Sequence, residues 1–472
     1  MGRPKFIHID SHSPTSFRPL LGPDYARFEA AAERAREAYE GRAIWHVSST
    51  FRGGGVAEIL RTLLPYVRGA RIDTRWVVLR ERAAFFELTK RIHNNLHGAP
   101  SDGGPLGAAE QRFYGETLAA SSRHFARLIQ PGDVVFLHDP QTAGLIPAVK
   151  RAGARAIWRC HIGCDEPNET ALAAQRFLEP WVAAADNWVF SRDAYVWAGL
   201  DPARTWTMAP SIDPLSPKNQ ALSADEVAAI VGAIGLARDS RRAAPRFTRA
   251  DGTPARVERS AEVLQVEPLP QAARLVTQIS RWDRLKDHHG LLRCFAEHLG
   301  DADLRLLLAG PATAAVADDP EGARVWEQVR AAWRQLPEEV RRRVHLVSLP
   351  MADLDENGAM VNALQHRAQV VVQKSLAEGF GLTVAEAMWK RRAVVGSRVG
   401  GIQDQIVDGE SGLLVPAEDL AAVAAAIRSL VADPALAHRL GRAARQRVRE
   451  RFLGPFRLAE YAELLAAVSV PA

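Results

Sequence analysis

Apolar positions recur along the chain in two series, each alternating short buried runs with longer amphipathic stretches. In the first, residues 43–48 read as a strand, 51–55 as a glycine-rich turn and 56–67 as a helix with one apolar face. Strand-like runs follow at 75–79, 133–138, 155–161 and 188–191, separated by helical patterns at 111–129, 141–151 and 169–185. Short strands alternating with helices predict a parallel sheet covered on both faces. The 42 residues before this series read as a polar lead-in.

Between 214 and 268 the alternation stops, and 237–265, rich in Arg, Ala, Asp and Ser, reads as a solvated surface insertion. The pattern resumes with strands at 275–280, 304–309, 344–349, 370–373 and 393–396, and from Asp419 to about Val468 the chain is nearly all helical. The expected fold class is α/β, with two Rossmann-like, doubly wound domains facing a central cleft. The expected boundaries are 1–215, a connecting insertion at 216–270, a second domain at 271–450, and a C-terminal helix at 451–472 that packs back on the first domain. Ligands of such sheets bind beyond the carboxyl ends of the strands, so the chemistry should sit just after strands.

Composition narrows the classes. With 472 residues and 47% apolar content the chain can build two cores. The 60 basic residues face 55 acidic ones, a net +5 without a block of like charge, which argues against a nucleic-acid partner. Seven of the 60 are lysines and 53 are arginines, a bias spread along most helices. Three cysteines (Cys160, Cys164 and Cys294) are too few for a disulfide framework, and Cys160, His161 and Cys164 lack a fourth ligand at zinc-like spacing, so no metal site is expected. No run of about 18 apolar residues suggests a membrane span, and a cytoplasmic location is expected.

Four sets of residues carry candidate chemistry, the last made of two strings. Gly53-Gly54-Gly55, between a strand and a helix, lets backbone N–H groups and the helix dipole approach an anion. The string 280–287, Ser-Arg-Trp-Asp-Arg-Leu-Lys-Asp, follows the first strand of the second domain, where Arg281 and Lys286 can converge on a phosphate. The segment 378–388 opens a helix after strand 370–373: Gly379, Phe380, Gly381, Leu382 and Thr383 offer amides, Glu378 in the loop can meet a sugar, and Glu386 in the helix can accept from vicinal hydroxyls. In the first domain, His138-Asp139-Pro140-Gln141 and Trp158-Arg159-Cys160-His161 put histidines at strand ends. Asp353-Leu354-Asp355 resembles a metal-binding DxD, but its place at a helix start makes it a capping segment.

At these residues the sequence resembles retaining glycosyltransferases of family 4 with the GT-B fold. Glu378 and Glu386 match the EX7E pair, and Arg281 with Lys286 the basic phosphate pair. Residues 48–58, Trp158-Arg159-Cys160-His161, Pro210-Ser211-Ile212-Asp213-Pro214-Leu215 and 378–390 narrow the resemblance to the glycosyltransferring (TreT) type of trehalose synthase, over about 44–415. What the resemblance implies is transfer of glucose from a nucleoside diphosphate glucose, ADP-glucose or UDP-glucose, to free glucose, giving trehalose, with no tightly bound cofactor and no required divalent metal. By position, Gly54 and Gly55 approach the diphosphate, His161 bonds the donor sugar, Arg281 and Lys286 balance the diphosphate, Glu378 contacts the sugar and Glu386 the ribose. Trehalose phosphorylases share much of the pattern, and family 4 enzymes with other acceptors remain alternatives. The fold also allows a homodimer.

Overall fold

The apolar runs become the strands of two seven-stranded sheets. The computed structural model describes residues 4–52, 54–100, 104–238, 243–300, 303–313 and 321–469. The chain divides into two units, one built from Met1–Ser211 with Gly454–Ala472, the other from Ile212–Ala317 with Glu321–Leu453.

The first sheet contains β1 (Lys5–Ile7), β2 (Ile44–Ser48), β3 (Thr74–Val78), β4 (Val134–His138), β5 (Arg155–Cys160), β6 (Asn187–Phe190) and β7 (Thr205–Thr207), in the order β1-β3-β2-β4-β5-β6-β7. All neighbours are parallel except the edge strand β1, which runs antiparallel to β3. Because side chains alternate across a strand, Trp45, Val47, Leu137, Ala156 and Trp158 pack on one face with Phe85, Tyr114 and Phe177 from the covering helices. Ile44, Phe136, Ile157 and Val189 pack on the other face with Phe17, Phe28, Tyr66, Leu464 and Leu465.

That second layer corrects the polar lead-in. Residues 25–38 form a helix, Tyr25–Ala38, whose Phe28, Ala31 and Ala35 are buried, and the tail helix Gly454–Ser469 supplies much of their apolar cover through Leu458, Tyr461, Leu464 and Leu465. The segment looked polar because its apolar partner lies more than 400 residues away in the chain, as in the bond from Tyr39 Oη to Leu465 O at 2.8 Å.

The expected connecting insertion at 216–270 is also corrected: it belongs to the second unit and builds part of its core. It forms the helix Ala224–Ile234, opened by a Ser223/Glu226 capping box, a hairpin of β8 (Arg246–Thr248) and β9 (Pro254–Arg256), and the edge strand β10 (Glu262–Leu264). Ile230, Ile234, Phe247 and Val257 are buried with Leu275, Leu307 and Val347 of the sheet. Two of its arginines, expected in solvent, are paired: Arg249 reaches both oxygens of Asp353, at 3.2 and 2.8 Å, and Arg259 pairs with the buried Glu356.

The second sheet continues with β11 (Arg274–Ile279), β12 (Leu304–Pro311), β13 (Val344–Leu349), β14 (Val370–Gln373), β15 (Ala393–Ser397) and β16 (Leu413–Val415), ordered β10-β13-β12-β11-β14-β15-β16. Only β10, on β13, is antiparallel. Asp353 caps the helix Leu354–Arg367, accepting from the amides of Asp355 and Glu356. Among the described residues no single helix is long and apolar enough to cross a membrane.

Candidate active site

In each sheet the strand order reverses once next to the first parallel strand, between β2 and β4 in the first and between β11 and β14 in the second. Such a switch point leaves a crevice at the carboxyl ends. The candidate segments follow those strands: Gly54 and Gly55 follow β2, His138 ends β4, residues 280–287 follow β11, and Glu378 follows β14.

In the second unit, Lys286 Nζ donates to both Glu378 oxygens at 2.6 Å, and Ser375 Oγ donates to Glu378 Oε2 at 3.1 Å. Arg281 Nη2 is 3.5 Å from Asp283 Oδ2, so the two expected phosphate cations are paired with different carboxylates. Asp283 also accepts from the Leu285 amide at 2.8 Å. The loops after β11 and β14 are joined by Gln278, whose amide donates to Lys286 O at 2.7 Å and accepts from the Lys374 amide at 2.8 Å. Lys374 pairs with Asp287, which has φ 48°.

The helix Leu382–Trp389 starts at Gly381, in the left-handed region at φ 87°. The Phe380 ring packs on Phe452 at 5.5 Å between centroids, so this residue offers a ligand its backbone rather than its ring. Gln405 Nε2 donates to the carbonyls of Phe380 at 2.5 Å and Gly381 at 3.3 Å. Within the helix Glu386 is buried, with Oε1 3.0 Å from Lys218 Nζ and Oε2 without a hydrogen-bond partner among the described residues. Lys390 Nζ donates to Asn219 Oδ1 at 2.9 Å and to Glu386 O at 3.2 Å. Burial pushes its pKa down to about 7, against the opposing pull of Glu386. All four lysines of this unit (Lys218, Lys286, Lys374 and Lys390) thus stand around the two EX7E carboxylates and their loops.

In the first unit, Gly54 caps the helix Gly55–Gly69, and a Cβ there would meet only Thr50 Cγ2, at 3.7 Å. Neither packing nor backbone angle demands glycine at Gly54, which suits a backbone kept open to a ligand. Gly53 lies outside the described residues. His161 is buried, its amide donates to Asp139 Oδ1 at 2.7 Å, and its Nδ1 has no partner among the described residues. Asp139, held at φ 60°, has its pKa raised to about 7 by burial, partly offset by the His161 amide and Arg159. Cys160, Cys164 and Cys294 are free thiols.

Sequence reasoning missed Lys218, Asn219, Gln278, Lys374, Gln405, His46 and Tyr461. The one available signal was the scarcity of lysine. The others are recognisable only from contacts between segments distant in sequence.

Comparison with known proteins identifies the family. Residues 46–197 match the model of the trehalose synthase N-terminal domain, and 260–447 that of glycosyl transferases group 1. A trehalose synthase of Rubrobacter xylanophilus is 35% identical over 453 residues, covering 94% of this chain and 93% of that protein. A trehalose phosphorylase of Pleurotus pulmonarius is more distant, 27% identical over 85% of this chain and 54% of its own length. Among solved structures, the UDP-forming α,α-trehalose-phosphate synthase of Burkholderia xenovorans, in complex with glucose-6-phosphate, aligns with a TM-score of 0.65 at 16% identity, over 90% of this chain and 100% of that one.

Proposed function

The chain belongs to the trehalose synthase family of glycosyltransferases with the GT-B fold, and from that premise we propose that it transfers glucose, with retention, from a nucleoside diphosphate glucose, ADP-glucose foremost, to free glucose, giving α,α-trehalose. The observation that supports this most is the pairing of Lys286 with Glu378 beside the helix that carries Glu386. A carboxylate in reach of a sugar stands against a cation in reach of a phosphate, as a hexosyl diphosphate requires.

In this reading the chain supplies position and charge. Arg281, Lys286 and the amides at the start of the helix Leu382–Trp389 stabilise the charge that grows on the leaving diphosphate. Glu386 Oε2 accepts from a ribose hydroxyl, and His161 Nδ1 meets the donor sugar. The leaving diphosphate takes the proton of the incoming hydroxyl on the same face, so no carboxylate is needed on the opposite face, unlike the paired acids of glycosidases. Charge neutralisation falls to side chains rather than a divalent ion, and undiminished turnover in excess chelator is expected.

The test is incubation of the protein with glucose and, separately, ADP-, UDP- and GDP-glucose, followed by chromatographic identification of the disaccharide and its anomeric configuration. Trehalose from at least one donor is expected. Release of glucose 1-phosphate from trehalose and inorganic phosphate, with no disaccharide from any nucleotide sugar, would replace this reading with a phosphorylase.

A further inference from the structure

Three imidazoles on the face of the first sheet that carries the tail helix form one hydrogen-bonded row. His46 in β2 lies opposite Phe136 in β4, and His138 stands two residues further along β4. His138 lies opposite Arg159 in β5, and His161 follows two residues on. A step of two restores side-chain direction, so the row stays on one face while climbing toward the carboxyl ends of the strands. Successive rings stack at 5.4 and 5.5 Å between centroids. His46 Nδ1 is 3.1 Å from His138 Nε2, and His138 Nδ1 is 3.2 Å from His161 Nε2. At the inner end Tyr461 Oη, from the tail helix, is 2.8 Å from His46 Nε2. At the outer end stands Nδ1 of His161, which has no partner among the described residues.

Burial, with the nearby Arg159 guanidinium, lowers the pKa of each ring and so favours the neutral form. Tyr461 is likewise protonated, its pKa raised by burial. A neutral imidazole has one donor and one acceptor nitrogen, so the row has only two self-consistent directions. The hydroxyl of Tyr461 has no other acceptor among the described residues, and it must donate or leave a buried O–H unpaired. When it donates to His46 Nε2, the proton of His46 sits on Nδ1 and points to His138 Nε2. His138 then carries its proton on Nδ1 and donates to His161 Nε2, which leaves the His161 proton on Nδ1.

We infer that Tyr461 fixes the row His46, His138 and His161 in one direction, so that His161 presents an N–H donor rather than a lone pair beyond the end of β5. Tyr461 and His46 are positioning residues acting through His161. The partner for that donor is an acceptor oxygen, a hydroxyl or phosphate oxygen of the bound sugar nucleotide. That last assignment rests on the proposed function, whereas the direction of the row does not. The reverse direction would give His161 an acceptor and favour a hydroxyl proton instead.

The experiment is a two-bond nitrogen–proton correlation spectrum of the full-length protein labelled with nitrogen-15 in histidine, at neutral pH and without substrate, assigned by removing each histidine in turn. The expected result is protonated Nδ1 and bare Nε2 in all three rings. A proton on His161 Nε2, or an imidazolium in any of the three, overturns the inference. In Tyr461→Phe the pure Nδ1–H pattern of His161 should give way to a mixture of tautomers, and an unchanged pattern in this variant removes the role of Tyr461. In His46→Gln the side-chain amide can accept from Tyr461 and donate to His138, so His138 and His161 should keep Nδ1–H. Loss of that pattern in a folded His46→Gln protein would also count against the row. Because these spectra need no substrate, failure of the row is distinguishable from failure of trehalose synthesis.

Discussion

Lys286 Nζ stands 2.6 Å from both carboxylate oxygens of Glu378, across 92 residues of sequence. The pair joins the loop after β11 to the loop after β14 and puts one cation and one anion where the strand order reverses. A sugar diphosphate entering there offers Lys286 a second anionic partner and Glu378 hydroxyl donors, so the pair can exchange partners rather than be broken.

Lys286→Ala should therefore lower turnover by about 10²-fold, the scale for losing one donor to a developing negative charge. Arg281→Ala should lower it by at least about tenfold on the same grounds. Lys286→Arg should rescue poorly, since a planar fork does not replace a compact ammonium. Steady-state kinetics with saturating donor checks this, and wild-type turnover in both alanine variants would remove Arg281 and Lys286 from the mechanism.

Glu386→Ala should act on donor affinity more than on turnover. Its Oε2 is buried without a partner among the described residues, and its Oε1 is held by Lys218. Losing a charge-assisted hydrogen bond of this kind weakens binding by roughly 10–100-fold. Calorimetric titration with the nucleoside diphosphate is the measurement, and unaltered affinity would contradict the ribose assignment.

Gly401 lies against the loop that leads into the helix Leu382–Trp389: a Cβ there would come within 2.6 Å of Phe380 Cα and 2.8 Å of Gly379 O. Those are backbone atoms, which cannot turn aside as a flexible side chain can. Gly401→Ala should cost about 1–3 kcal/mol of stability through overpacking and weaken donor binding by displacing Gly379 and Phe380. Denaturant unfolding and nucleotide titration read the two effects separately.

The buried carboxyl of Asp139 makes stability depend on pH. Its folded pKa is raised from 3.8 to about 7 by burial, so between those values the folded state holds a proton that the unfolded state has released. Stability then falls as pH rises from about 4 through 7. Asp139→Asn keeps an oxygen for the His161 amide and removes the charge, so it should flatten that slope and stabilise the protein at pH 8 by roughly 1–4 kcal/mol. Urea unfolding at pH 5 and pH 8 tests it, and equal wild-type stability at the two values after correction for other groups would rule it out.

Much of the fold was legible because its cause is local. Strands β2, β4, β5, β11, β13 and β14 lie within a residue or so of the runs that predict them, since a strand buried on both faces reads as a continuous apolar stretch. The edge strands β1, β7, β10 and β16 escaped notice: each is three residues long, too short for its pattern to stand out from a loop even where, as in β16, all three residues are apolar. The insertion misled for a related reason. Two of its arginines, Arg249 and Arg259, pair with Asp353 and Glu356 about 100 residues away, and its few apolar side chains are buried by a sheet formed later in the chain.

The sequence by itself determined the doubly wound α/β architecture and offered Glu378, Glu386, Arg281 and Lys286 as candidates, because apolar runs and position after a strand are local features of the chain. Tertiary structure alone decided which groups meet. It set Lys286 on Glu378 and Lys218 on Glu386, and buried Lys390 between Asn219 and the Glu386 carbonyl. It also brought Tyr461 of the tail onto His46. The physical reason is that a buried polar group must find a partner wherever the packed chain provides one, and sequence spacing carries no record of partners contributed by other strands or by the far end of the chain.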